Sequence, residues 1–263
     1  MIDFIIDSHC HLDLIEDKGI FLAEILQNCD SNNVKILQTI CTKISDLDRL
    51  LNFCKQDPRI YCSIGVHPCN VANHPLFVIN DIISLCSQNK KIIGIGETGL
   101  DYYHNLDSIA LQKKFFEDHI SVSRETNLPV IIHSRNADSD MIEILNREKK
   151  HKDFPALLHC FSSTRELALK AIDLNILISV SGIITFKNAH ELQGIIKDVP
   201  LEYLLIETDS PYLAPSPFRG KINQPSNVFY VAKAIAEIKS IKIEKVIEIT
   251  TNNFLKIFSR VEY

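Results

Sequence analysis

KIIGIGETGLDYY, residues 91–103, opens with a short run of isoleucine and glycine that stops at a carboxylate, Glu97. Isoleucine suits a pleated surface covered on both sides, so residues 92–96 read as a buried strand. The same pattern recurs outward in both directions. Apolar, β-branched runs at 4–8, 35–40, 60–64, 130–132, 156–158, 177–180 and 204–207 read as further strands. Longer segments with helical spacing lie between them. Ile20, Ala23, Ile25 and Leu26 mark one helix; Leu111, Phe115, His119 and Val122 another; Leu167, Ala168 and Ala171 a third. Helices over 228–238 and 243–258 close the chain. Strand followed by helix, eight times over, predicts an α/β protein with a parallel sheet closed into one (β/α)8 TIM barrel, a single domain over residues 1–263. An open, doubly wound sheet would carry a glycine-rich phosphate turn after its first strand, where this chain has His9-Cys10-His11.

Glu97 is one of a set. Asp7, His9 and His11 accompany the first strand, His67 follows the third, His133 ends the fifth, His159 the sixth, and Asp209 follows the eighth. In such a barrel the C-terminal ends of all strands share one rim, so residues scattered from 9 to 209 are expected to converge. His9 and His11 are two apart, and an extended backbone turns both imidazoles to one side with Cys10 facing away. A single histidine such as His133 or His159 would ordinarily be a satisfied core residue. Six such groups at one end of successive strands are not explained that way, because burying them without a cation leaves unpaired charge. His9, His11, Glu97, His133, His159 and Asp209 are therefore expected to bind metal. Imidazole with carboxylate suits Zn²⁺, Mn²⁺ or Co²⁺, or Mg²⁺ with water completing its shell, better than Ca²⁺. Four histidines and two acids exceed the needs of one catalytic ion, so two divalent ions are expected. Glu97, whose strand lies between those of the other ligands, is the natural bridge, with a hydroxide held between the ions. No organic cofactor is expected.

The chain has 263 residues, 46% apolar and 23% charged, the balance of a globular protein with a full core. A net charge of −5 and a pI near 6.1 exclude broad, charge-driven coating of nucleic acid, so any phosphate must be held locally. The eight cysteines include no CxxC pair and are expected as reduced thiols in or near the core. The acidic, briefly apolar start does not read as a secretory signal, and the longest apolar stretch, 176–186, is broken by Ser, Gly and Thr. A cytoplasmic protein with no membrane partner is expected; oligomeric state is not legible.

These blocks, in this order, resemble the TatD family of metal-dependent hydrolases among the amidohydrolase-like barrels. DSHCHLD at 7–13, GVHP at 65–68, GETGLDYY at 96–103, LPVIIHSRNA at 128–137, LHCFSS at 158–163, SGIITFKNA at 181–189, ETDSPYLAP at 207–215 and RGKINQP at 219–225 carry the resemblance over nearly the whole chain. It implies that His9, His11, Glu97 and Asp209 bind one ion, and that Glu97, His133 and His159 bind the second. His67 would lie beside the cluster and touch a substrate phosphate. The implied activity is phosphodiester hydrolysis, as a deoxyribonuclease of the 3′-to-5′ exonuclease kind, with DNA as the partner. Metal-bound hydroxide would attack phosphorus, and Asp209 would take the proton, with Glu97 the other catalytic carboxylate.

Arg135 and Lys221 are expected to contact substrate, with Lys187 and Arg219 weaker candidates. Tyr102 is expected to do so by stacking on a base, as Tyr103 also could; both could equally pack the loop. Phe218 departs from many relatives, which carry a basic or histidine residue there, so a phosphate contact at that point is not expected. Two other activities suit the same scaffold. Amide, lactone or phosphotriester hydrolases of this shape commonly bridge their ions with a modified lysine where Glu97 stands. An esterase acting on aminoacylated tRNA would use the same ligands on an acyl carbonyl. A binding protein that has kept the barrel and lost catalysis would be expected to lose a ligand first, and none is missing here.

Overall fold

The computed structural model describes residues 4–74 and 78–262. Eight parallel strands form one sheet in the order of the chain: β1 (Ile5–Cys10), β2 (Val34–Thr39), β3 (Ile60–Ile64), β4 (Ile92–Asp101), β5 (Val130–Arg135), β6 (Ala156–Leu158), β7 (Leu177–Val180) and β8 (Leu204–Ile206). Among the described residues ten α-helices are interspersed with them: α1 (Leu12–Glu16), α2 (Leu22–Ser31), α3 (Leu47–Gln56), α4 (Ile79–Gln88), α5 (Ile109–Thr126), α6 (Asp138–His151), α7 (Arg165–Asp173), α8 (His190–Asp198), α9 (Val228–Lys239) and α10 (Ile243–Ile257). Among the described residues no helix is long and apolar enough to cross a membrane.

The join between β1 and β8 closes the TIM barrel. Cys10 bridges Ser210 in parallel, the Asp209 amide donates to the His9 carbonyl at 2.9 Å, and the His11 amide donates to the Ser210 carbonyl at 2.8 Å. Asp7 locks this join from within, its two oxygens accepting from the Thr208 amide at 2.8 Å and the Thr208 hydroxyl at 2.6 Å. Asp7 thus belongs to the seam and not to the histidine cluster.

Two apolar cores follow from the alternation of side chains. The larger fills the space between strands and helices. The smaller occupies the N-terminal half of the barrel's interior, where Ile6, Ile36, Tyr61, Ile93, Ile131, Leu157 and Leu205 meet Phe254 of α10 and Phe258 at its C-terminal end. This plug closes one mouth, and the polar rim occupies the other. All eight cysteines are free, six of them buried.

The strand cores match the expected positions, but β1, β4 and β5 run further. A sequence reading stops a strand at its first polar residue, whereas here the polar residues lie within the ladder and face one another. β4 is the clearest case. Its register against β5 shifts between Ile95 and Thr98, then continues with Gly99 opposite His133 and Asp101 opposite Arg135. Such an irregularity re-aims a side chain, and the residue inside it is Glu97. A Cβ at Gly99, whose φ is 135°, would run into the His133 carbonyl, so glycine there lets β4 press directly against the strand carrying His133.

Candidate metal centre

The rim gathers five imidazoles and four carboxylates. His9 Nε2 lies 3.3 Å from His11 Nε2, 3.7 Å from Asp209 Oδ1 and 3.5 Å from Glu97 Oε2; His11 Nε2 lies 3.4 Å from Asp209 Oδ1. On the other side of Glu97, its Oε1 lies 2.7 Å from His159 Nε2, 2.9 Å from His133 Nδ1 and 3.4 Å from His67 Nε2. The six expected ligands therefore meet, and His67 joins them. Donor atoms bound at about 2.1 Å to one ion sit roughly 3.0–3.4 Å apart, close to these separations. Two imidazole nitrogens facing each other in a buried site, with a carboxylate oxygen beside both, fit a set built for a shared cation.

Electrostatics point the same way. Burial alone would raise the Glu97 carboxyl, yet the charges of His159 and His67 and the bonds from His133 and His159 hold it well below the usual range. Burial would likewise raise Asp209, but the His11 bond and the charges of His9 and His11 bring it below its ordinary value. His159 is pulled down by burial, and Glu97 and Glu207 more than reverse this, leaving it well above its ordinary value. His9 is lowered by burial and by its like-charged neighbour His159. These carboxylates are held ionised and demand positive charge, which protons supply when no ion does.

Two groups behind the cluster escaped the sequence reading. Asp101 Oδ2 accepts from His133 Nε2 at 3.1 Å, which leaves Nδ1 of that ring aimed at Glu97. Glu207 Oε1 lies 3.3 Å from His159 Nδ1, which leaves Nε2 of that ring aimed inward. Carboxylates behind imidazoles fix ring orientation and raise basicity. Both stand beside more conspicuous residues in GLD and ETD, so only the register shows that they matter.

A cleft of about 750 Å³ opens over the cluster, and its wall includes His11, His67, Glu97, Asp101, His133, Arg135, His159, Asp209 and Tyr212. Arg135 is exposed there with its guanidinium 4.7 Å from the Tyr103 ring. Lys43, not singled out from the sequence, also lines the cleft. Lys221 is exposed and does not line it, its ammonium standing 5.8 Å from the Phe218 ring. Tyr102 is turned away, its hydroxyl donating to Asp140 at 2.6 Å. Arg219 stacks on Phe186 at 3.6 Å, and Lys187 is exposed; neither lines the cleft. Cys10 faces the core with its thiol donating to the Gln38 carbonyl at 3.4 Å. Cys160 sits in the cleft wall with its sulfur 3.2 Å from the Ser181 hydroxyl.

A parallel eight-stranded barrel with histidines and carboxylates at the C-terminal ends of its strands is the architecture of a metal-dependent hydrolase. Within that class the chain belongs to the TatD related DNase family, whose profile matches residues 6–259. It is 42% identical to an uncharacterized metal-dependent hydrolase of Buchnera aphidicola subsp. Acyrthosiphon pisum, over 97% of this chain and 99% of that one. It is 40% identical to the uncharacterized metal-dependent hydrolase YcfH of Escherichia coli K12, over 97% and 96%. The crystal structure of the TatD homolog YJJV from Escherichia coli superimposes with a TM-score of 0.88 at 24% identity, over 98% of this chain and 99% of that one, a likeness of fold.

Proposed function

We propose that this chain hydrolyses phosphodiester bonds with two divalent ions, as a cytoplasmic deoxyribonuclease that shortens DNA from its 3′ end. Glu97 carries the reading. One of its oxygens faces His9 and the other faces His133 and His159, as a carboxylate shared between two ions must. His9, His11, Glu97 and Asp209 would hold one ion, and Glu97, His133 and His159 the other. Bound there, Zn²⁺, Mg²⁺, Mn²⁺ or Co²⁺ supplies Lewis acidity toward phosphoryl oxygen and lowers the pKa of water.

The chain's own groups do the rest. Asp209, ionised and facing the cleft, accepts a proton at Oδ. His67 accepts the Cys69 amide at Nδ1, 3.1 Å away, so its Nε2 carries the hydrogen and can donate to a phosphate oxygen. Arg135 and Lys43 supply local positive charge that the acidic whole lacks. Asp101 and Glu207 keep His133 and His159 in register.

The test runs 5′-labelled single-stranded DNA and aminoacylated tRNA in parallel with added Mn²⁺ or Mg²⁺. Metal-dependent shortening from the 3′ end, with the aminoacyl bond intact, is the expected result. Deacylation with the DNA untouched would establish the acyl-ester reading instead.

A further inference from the structure

Beside the histidine cluster, and joined to it only through Asp101, stand three side chains of another character. Cys69, Asp101 and His104 each present a ligand atom, all within 4.8 Å of one another, and all three line the same cleft. They come from neighbouring loops: Cys69 from the turn after β3, Asp101 from the last position of β4, and His104 three residues beyond.

Asp101 is a fixed point. It is buried, and its Oδ1 accepts the amides of Tyr103 at 2.9 Å and His104 at 2.7 Å. Oδ2 takes His104 Nδ1 at 2.9 Å and His133 Nε2 at 3.1 Å. Around that anchor the other two can move. The His104 side chain is 53% exposed, its ring tied by the Nδ1 bond to Asp101 that a bound ion would replace, and the Cys69 amide donates to His67. A tetrahedral zinc with Zn–S near 2.3 Å and Zn–N or Zn–O near 2.0–2.1 Å needs ligand atoms roughly 3.3–3.6 Å apart. Since no pair is more than 4.8 Å apart, closing to that spacing takes at most about 1.5 Å, within reach of side-chain rotation in a cysteine and a half-exposed histidine.

We infer that Cys69, Asp101 and His104 form a third cation site, selective for a thiophilic ion such as Zn²⁺, beside the two-ion centre. The chemistry separates the two. The main cluster offers only nitrogen and oxygen and suits several ions, whereas thiolate, imidazole and carboxylate together select zinc over Mg²⁺ or Mn²⁺. On binding, the Cys69 thiol loses its proton to solvent, and the fourth position stays open to the cleft. An ion here would draw on Asp101, the carboxylate that also orients His133, so the two sites share a side chain. The site stands independently of the reaction proposed above.

The experiment titrates the full chain with Co²⁺ and follows the near-ultraviolet charge-transfer absorption that only a thiolate–cobalt bond produces. The band is expected in the unaltered chain and in Cys160→Ser, is abolished in Cys69→Ser, and appears in His104→Ala only at Co²⁺ concentrations about tenfold or more higher. Dialysis against Zn²⁺ followed by elemental analysis should find one ion fewer per chain in Cys69→Ser. Absence of the band in the unaltered chain, its survival in Cys69→Ser, or its loss in Cys160→Ser would overturn the assignment, whatever the substrate proves to be.

Discussion

Asp209 holds a backbone conformation that most residues avoid, with φ at 54° in the loop that follows β8. Aspartate and asparagine tolerate that region better than other side chains because their short polar groups bond locally. Asp209→Asn should therefore keep the fold while removing the proposed proton acceptor, and kcat at saturating metal should fall by about 10²–10⁴-fold with an unchanged melting temperature. Activity within tenfold of the parent would place the acceptor elsewhere. The residues legible from sequence were those that interrupt an apolar run alone, as His133 does in VIIHSR and Glu97 in IIGIGE. Asp101 was illegible because its role depends on which atom of His133 is already taken. Cys69 and His104 lie in loops whose course no periodicity encodes. Tyr102 and Lys221 looked like substrate contacts by sequence position, and the turns of their loops carry them outside the cleft wall.

Elements were read more surely than their ends. Helix α5 was legible from Leu111, Phe115, His119 and Val122, one stripe at helical spacing, and the histidine in that stripe proves as buried as its neighbours. His119 Nε2 accepts the Val66 amide at 3.1 Å, and Nδ1 donates to the Phe115 carbonyl at 2.6 Å. It thereby ties α5 to the loop that delivers His67. Accepting the Val66 amide needs the neutral ring, and burial, helped by His74 and opposed by the Phe115 carbonyl, lowers its pKa from 6.5 to about 4. Between those values the unfolded chain binds a proton that the folded chain refuses, so stability is complete above about pH 6.5 and declines toward pH 4. The loss should reach on the order of 3 kcal/mol. Denaturant midpoints across that range should show it, and His119→Gln, which cannot protonate, should flatten the slope. An unaltered slope in that variant would assign the acid sensitivity to other groups. What the periodicity could not reveal is how far β4 continues, because Gly96, Glu97 and Gly99 look like a strand's end until the ladder with β5 is seen.

For the whole molecule, closure of the eight strands concentrates negative charge at one mouth, and divalent ions should stabilise the fold by neutralising it. An ion present at about 100 times its dissociation constant adds roughly 2.7 kcal/mol, which in a chain of this size corresponds to roughly 5–10 °C. Chelation at pH 7–8 should lower the calorimetric melting temperature by that amount, and re-addition of metal should restore it; an unmoved transition would mean that the cluster holds no ion under those conditions. The alternation of strands and helices foretold the barrel, but not where it is fastened. The join of β1 to β8 has a temporal consequence. His9 and His11 are made long before Asp209, and they stand on opposite lips of that join. Until the final strand docks, the three cannot surround anything. Assembly of that half of the cluster must therefore follow ring closure during folding, and a nascent polypeptide still lacking its eighth strand carries the histidines without the carboxylate they face.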